Sequence, residues 1–310
     1  MSNFRQRLVM AKIGSGTYPA DDTPDGTNAV LTRNLAVQVF QGNTETLDYD
    51  KPTLGGGKEI YTGPHAAVSF DVDLSGSGTA GDAPAYGSLL QMCGLSETVN
   101  AGVDVTYALV SSGFSWGSLY VNLAGELHKL TGARGNVTFN LRREASPSMS
   151  FRFLGLWDQT PTAVSAPTPS GWSDYVDPIP FNKANTPTFD VDGYAAKAEE
   201  LSIDLGMDVQ YRNVVNDEQV FIVDRAVTGR MAIEKPALAD KDFYALVRAH
   251  TIIDSSVVHG TTAGNIATLN LKHQLKFTED QDSQGISVMP FDLRGVPTET
   301  GDDEFSLVLT

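Results

Sequence analysis

Three short patterns in this chain of 310 residues contain residue types that do chemistry in other proteins. Gly76-Ser77-Gly78-Thr79-Ala80-Gly81 has the G-x-G-x-x-G spacing by which a strand-to-helix turn brings backbone N–H groups against a pyrophosphate. The chain beyond it does not alternate strand and helix as a doubly wound nucleotide fold does, and the corresponding turn in the second half, Glu234 to Asp240, holds no glycine. Gly113-Phe114-Ser115-Trp116-Gly117 has the spacing of a nucleophile elbow, which needs a helix after the serine. Alternating strand residues from Leu119 follow instead, so a glycine-flanked aromatic bend is expected. Asp280-Gln281-Asp282-Ser283-Gln284-Gly285 resembles the start of a calcium loop, but Phe291 stands where the bidentate glutamate belongs, which leaves a polar hairpin turn. The histidines (His65, His128, His250, His259, His273) are dispersed, without an H-E-x-x-H pair. Cys93, the single cysteine, ends a short apolar helix and suits a buried packing role. No catalytic, cofactor-binding or metal-binding constellation is expected, so the chain reads as structural rather than enzymatic.

Those residues sit on a strongly acidic chain, of net charge −16. Residues 1–160 carry 11 Lys and Arg against 15 Asp and Glu, and residues 161–310 carry 11 against 23. Such a chain is a poor ligand for nucleic acid, whose binding depends on neutralising phosphates. The start, Met1 to Arg7, is polar and lacks the apolar core of a leader. No stretch approaches the roughly 20 apolar residues of a membrane helix. Folding in a cytoplasm, away from any membrane, is therefore expected.

The elements that must position these residues are mainly strands. Apolar residues alternate at Leu35/Val37/Val39, Val68/Phe70/Val72/Leu74, Leu119/Val121/Leu123, Val137/Phe139/Leu141 and Phe151/Phe153. The pattern returns at Leu201/Ile203/Leu205/Met207/Val209, Val227/Met231/Ile233, Leu269/Leu271/Leu275/Phe277 and Phe305/Leu307/Leu309. Helical periodicity is confined to Ala85–Met92 and Lys241–Ala249, the latter with Asp240 as expected N-cap. Six of the 15 prolines fall between Pro161 and Pro187, which reads as a stiff linker.

On either side of that linker the chain resembles itself. Leu35-Ala36-Val37 answers Leu201-Ser202-Ile203, the strand at Val68 answers the one at Val227, and the helix at Tyr86 answers the one at Tyr244. Asn122-Leu123 answers Asn270-Leu271, Phe139-Asn140-Leu141-Arg142 answers Phe291-Asp292-Leu293-Arg294, and Phe151/Phe153 answer Phe305/Leu307. Two tandem β-sandwich domains are expected, each with one short α-helix. The first spans residues 1–160 and includes an N-terminal arm (1–30) and a long inter-strand loop, Gln41 to Pro64. A Pro-rich linker covers 161–187, and the second domain spans 188–310. The long loop, with Asp48, Asp50, Leu54, Gly55, Gly56 and Gly57, is a candidate for contact with a neighbouring subunit.

The run Leu8-Val9-Met10-Ala11-Lys12-Ile13, then Tyr18, Asp21-Asp22-Thr23-Pro24 and Asn28-Ala29-Val30-Leu31, resembles the opening of major tail (tail tube) proteins of long-tailed, siphovirus-like phages. Ser69 to Gly81 with Pro84, Leu89-Leu90 and Cys93-Gly94 is similar to the most recognisable segment of that group. The resemblance is strongest over residues 5–95. It implies a virion protein whose inner strands join those of neighbours into a closed β-barrel ring, stacked into a tube through which DNA is ejected. Assembly in the host bacterial cytoplasm is also implied. Two units per chain then imply a homotrimer that mimics a ring of six. Its implied partners are further copies of itself and other tail proteins (tape measure, distal tail, terminator), with double-stranded DNA passing the lumen without specific binding. The polar strand face of Ser69, Asp71 and Asp73 is the expected lumen lining. Stacking contacts are expected from the long loop, the arm and the stretch after Pro297. A different ring-forming component, a distal tail or tail-terminator protein, is the alternative.

Overall fold

A computed structural model describes residues 5–157 and 160–310. Alternating β-branched and aromatic residues favour a pleated, half-buried surface, and the chain is mainly β. The first half runs β1 (Arg7–Ile13), β2 (Ala29–Val30), β3 (Arg33–Leu47), β4 (Lys58–Asp73), α1 (Gly87–Met92), β5 (Leu95–Asn100), β6 (Asp104–Leu109), β7 (Gly117–Leu123), β8 (Glu126–Arg142) and β9 (Ser148–Trp157). Then come β10 (Thr162–Ala163), β11 (Thr188–Val191), β12 (Tyr194–Ala195), β13 (Ala198–Asp204), β14 (Met207–Val214), β15 (Asp217–Arg225) and β16 (Thr228–Glu234). The chain closes with α2 (Phe243–Ala249), β17 (Ile252–His259), β18 (Ala267–Phe277), β19 (Gln281–Ser283), β20 (Ile286–Gly295) and β21 (Phe305–Leu309).

Pairing is antiparallel throughout the described residues. In the first half it follows β2–β1–β7–β8–β9–β4–β3. In the second it follows β12–β11–β17–β18–β20–β16–β13. Short β10 adds to the start of β8, and β21 to the start of β18. Two pairings join the halves. The end of β8 pairs with β13, Phe139 opposite Ile203 and Leu141 opposite Leu201, and β6 pairs with β21. One layer therefore runs unbroken through β3–β4–β9–β8–β13–β16–β20–β18.

Its apolar face packs against the outer strands and helices in a core that is continuous across both halves, from Val9, Phe70 and Phe139 to Phe291 and Phe305. Burial at this scale, at about 25 cal/mol per Å² of apolar surface, is what holds the layers together. A bulge lets β8 serve both layers. Its register shifts between Thr131 and Arg134, where Gly132 adopts φ +57°. A Cβ there would stand 2.7 Å from the Tyr18 ring, so only glycine fits.

Several sequence expectations change. Gln41–Pro64 is mostly not loop: β3 and β4 run on as a long hairpin, paired as far as Leu47 opposite Lys58. Cross-strand pairing extends here through polar sequence that lacks an apolar alternation. The second half makes its own hairpin from β14 and β15. Leu201–Val209 is two strands, broken at Gly206 (φ +63°), where a Cβ would meet the Ala226 carbonyl at 2.1 Å. The α2 N-cap is Asp242, whose carboxylate accepts from the Ala245 N–H at 2.9 Å, a reach Asp240 lacks.

Met1 to Phe4 of the expected arm lie outside the described residues. The rest is built into the fold, with β1 along β7 and the Tyr18 hydroxyl accepting from the Val220 N–H at 2.6 Å. Residues 161–187 form a strap that runs along the first half as far as Trp172 and then reaches the second, where His259 contacts the Ile179 carbonyl and the Thr186 hydroxyl. The Asn122 amide donates to the Val164 carbonyl, the Trp172 indole to the Val30 carbonyl, and Phe181 is buried.

Candidate functional site

The solvent face of the eight-strand layer is polar across its whole width. Residues directly opposite in adjacent antiparallel strands share a face, so the pairings trace its rows. One row runs Arg33–Asp71–Ser150–Thr138–Asp204–Thr228–Arg294–Gln274. A second runs Asp73–Ser148–Asn140–Ser202–Arg230–Asp292–Lys276, and a third Ala36–Ser69–Arg152–Asn136. Ser69, Asp71 and Asp73, singled out from the sequence, thus lie side by side on this face. The other members sit at the polar alternates of strands already legible from their apolar positions. That alternation was the signal for them.

Hydrogen bonds knit the face. Asp71 accepts from the Asn34 amide and the Ser150 hydroxyl, each at 2.7 Å. The Asn136 amide donates to Asp204 at 2.7 Å, and the Ser202 hydroxyl to Asn140 at 3.2 Å, both across the joint between halves. Arg33 contacts Asp73, Arg142 lies 3.7 Å from Glu200, and Lys276 lies 4.0 Å from Asp292. Arg152, Arg230 and Arg294 are exposed. Both signs of charge are therefore interleaved, where the sequence suggested an acidic surface.

Asp48, Asp50, Leu54, Gly55, Gly56 and Gly57 fall together in the tip of the β3–β4 hairpin. Leu54 and Tyr49 are exposed there, and Gly57 passes so close to the Leu47 carbonyl that a Cβ would stand 2.4 Å away. The β14–β15 tip ends at exposed Val215. The two hairpins touch through the His65 ring, stacked on Tyr211 at 4.2 Å.

The chemistry-bearing motifs have structural roles. The Gly76–Gly81 loop docks on the second half. The Gly78 N–H donates to the Gly264 carbonyl at 2.9 Å, the Gly76 N–H to the Asn265 side chain at 2.7 Å, and a Cβ on Gly76 would stand 2.0 Å from that carbonyl. Phe114 and Ser115 offer their carbonyls to the Arg134 guanidinium, and Trp116 packs edge-on to Tyr18. Asp280–Gly285 holds β19 and the two-residue hairpin turn after it, with Gln284 and Gly285 at positive φ and the Gly285 N–H donating to Asp282. Cys93 caps α1 and is fully buried, which pushes its thiol pKa up. Among the described residues, no group of three His, Cys, Asp or Glu is placed to hold a metal ion, and no helix is long and apolar enough to cross a membrane.

No curated protein matches the chain. A family model described as phage tail tube protein matches residues 8–303, running through the second half as well as the first, where the sequence resemblance was concentrated. Layered strands, a polar face spanning one sheet and near-complete coverage agree: this chain belongs to the phage tail tube protein family and is a structural component of the phage tail.

Proposed function

We propose that the chain is two tube units in tandem, so that three chains close a ring of six quasi-equivalent units and rings stack into the tube through which DNA leaves the virion. One observation carries this proposal: the pairing order of the first half recurs in the second, strand for strand. β2–β1–β7–β8–β9–β4–β3 corresponds to β12–β11–β17–β18–β20–β16–β13, and β10 on β8 corresponds to β21 on β18. Chance repetition of so long an ordered path is remote, and a duplication accounts for it.

The correspondence sets β8 against β18 and β9 against β20, one strand earlier than the sequence matches that aligned Asn122 with Asn270. Phe151 then answers Phe291, and Phe70, opposite Phe151, answers Met231, opposite Phe291. The hairpin β5–β6 belongs to the first unit alone and pairs with the second through β21. The boundaries of the reading remain a first domain over 1–160, a connecting segment over 161–187 and a second domain over 188–310.

In this reading the polar face lines the lumen, with Ser69, Asp71 and Asp73 among its lining residues. Arg33, Arg142 and Lys276 are paired with carboxylates while Arg152, Arg230 and Arg294 stand exposed on the same face, so the repulsion of phosphate rests on the net charge of −16 per chain. The β3–β4 tip, from Asp48 to Gly57, is the proposed contact with the next ring. Other tail proteins meet the ends of the tube. Mass measurement of an isolated ring tests the stoichiometry: three chains are expected, and six would refute it. Replacing Asp71 and Asp73 by lysine in assembled particles is expected to slow DNA passage, read as the rate of ejection. Unchanged ejection would remove those residues from the lumen.

A further inference from the structure

The two ends of the eight-strand layer are incomplete in complementary ways. β3 corresponds to β13, since Val37 lies opposite Val68 in the first unit as Ile203 lies opposite Gly229 in the second. Leu35, Val37 and Val39 therefore answer Leu201, Ile203 and Leu205. Burial separates these equivalent, equally apolar positions. Leu201, Ile203 and Leu205 are 4%, 1% and 0% exposed, whereas Leu35, Val37 and Val39 are only partly covered. The difference is the strand beside them. The end of β8 lies along β13 and closes the joint with the Leu205 N–H donating to the Val137 carbonyl at 3.2 Å, while among the described residues no strand lies along the outer edge of β3, where the Arg7 guanidinium donates to the Leu35 carbonyl at 2.7 Å.

At the other end, Phe277 answers Val137 across the same correspondence. Val137 is fully buried, while Phe277 is partly exposed, with the half-open Tyr244 ring packed edge-on to it at 5.5 Å. Past Phe277 the chain continues through Thr278 to β19, whose outward edge has no strand along it among the described residues, with the Asp280 side chain held by Lys235 at 2.5 Å and the Ser283 hydroxyl donating to Glu199 at 2.8 Å. This edge carries Glu279, Asp280 and Asp282, and the β3 end carries Arg33.

We propose that the outer edge of β3 in one copy of this chain seats along residues 278–282 of a second copy, reproducing between chains the joint that β8 and β13 make within one. This rests on the two-unit, ring-forming reading and adds the surfaces and register that close the ring. The internal joint sets Ser202 opposite Asn140, so the joint between chains sets Ala36 opposite Asp280. Leu35, Val37 and Val39 gain the cover that their counterparts have, and two unpaired edges are satisfied by a head-to-tail contact that closes on itself.

The test is a full-length chain carrying Ala36→Cys with Asp280→Cys, in which the wholly buried Cys93 does not compete. Assembled material is oxidised and run without reductant, and the ring mass of the unmodified chain is measured separately. The expected result is a covalent series ending at three chains. Three-chain rings that give no link at these positions would overturn this joint and leave the ring reading standing. Six-chain rings, or no rings, would overturn both. A second variant, Leu35→Asp, is expected to keep its circular dichroism and melting temperature as an isolated chain while forming at least tenfold fewer rings. Normal ring yield from that variant would likewise overturn the joint.

Discussion

Arg225 brings two carboxylates and a backbone carbonyl together on one guanidinium. Its guanidinium is 12% exposed and donates to Glu304 and Asp302, each at 2.8 Å, and to the Val110 carbonyl at 3.0 Å. It thereby ties the base of the second hairpin to the C-terminal stretch and to the first half. The residues after Pro297 are ordered within the chain in the same way, Thr298 bonding to Asp303 through its N–H and its hydroxyl. Removing one partner leaves Glu304, whose side chain is 6% exposed, buried and uncompensated. Arg225→Met is expected to cost about 3–5 kcal/mol, read from denaturant midpoints at constant slope. His273 predicts a pH dependence. Burial holds its pKa down at about 4, against about 6.5 in an unfolded chain. The folded state thus binds fewer protons between those values, and stability falls as pH drops from about 6.5 toward 4, by about 2–3 kcal/mol from this group. His128 and His259 are shifted downward by burial in the same sense. Denaturation at pH 7 and pH 4.5 should show the loss, with a smaller drop in His273→Leu.

Among the elements, β8 decides the architecture, because it pairs with β7 in the outer layer and with β13 in the other. The bend between these duties sits at Gly132. Its backbone conformation disfavours any side chain, by about 1–2 kcal/mol, and the Tyr18 ring occupies the space a Cβ would need. Tyr18 in turn receives the Val220 N–H, and Arg134 lies over its ring at 5.1 Å. Gly132→Ala is therefore expected to lower the melting temperature by at least about 3 °C. It should also make residues 14–25 more susceptible to proteolysis, since their anchor is displaced. A substitution that leaves both readouts unchanged would show that the bend tolerates a side chain. The strap over 161–187 acts at the same scale, covering the small outer cluster of Leu8, Met10, Ala29, Tyr120 and Leu127.

For the whole molecule, the joints make the halves interdependent. The β8–β13 and β6–β21 pairings, the Gly76 loop on Gly264 and the Arg225 cluster all cross between them, and one core runs through both. A single unfolding transition by calorimetry is expected, with calorimetric and van't Hoff enthalpies equal. Residues 188–310 expressed alone should fail to give a cooperative transition, because they lose β8 from the edge of β13 and β6 from the edge of β21. Two resolved transitions would refute this coupling.

Local pattern alone determined the mainly-β class, the two short helices and the strands at Val68, Val137 and Phe151. Each of these follows from side-chain periodicity, which acts over a few residues. The face shared by Ser69, Asp71 and Asp73 was legible in the same way, as the polar alternate of a strand. Only the tertiary structure decided which strands adjoin. The β3–β4 hairpin reads as a loop in the sequence because its polar residues hide backbone pairing, and the matched strands of the second half are offset by one because short apolar triplets recur on many strands. Backbone hydrogen bonds between strands far apart in sequence leave no local signature. So the row of eight residues across eight strands, and the two unfilled edges that end it, became visible only in the folded chain.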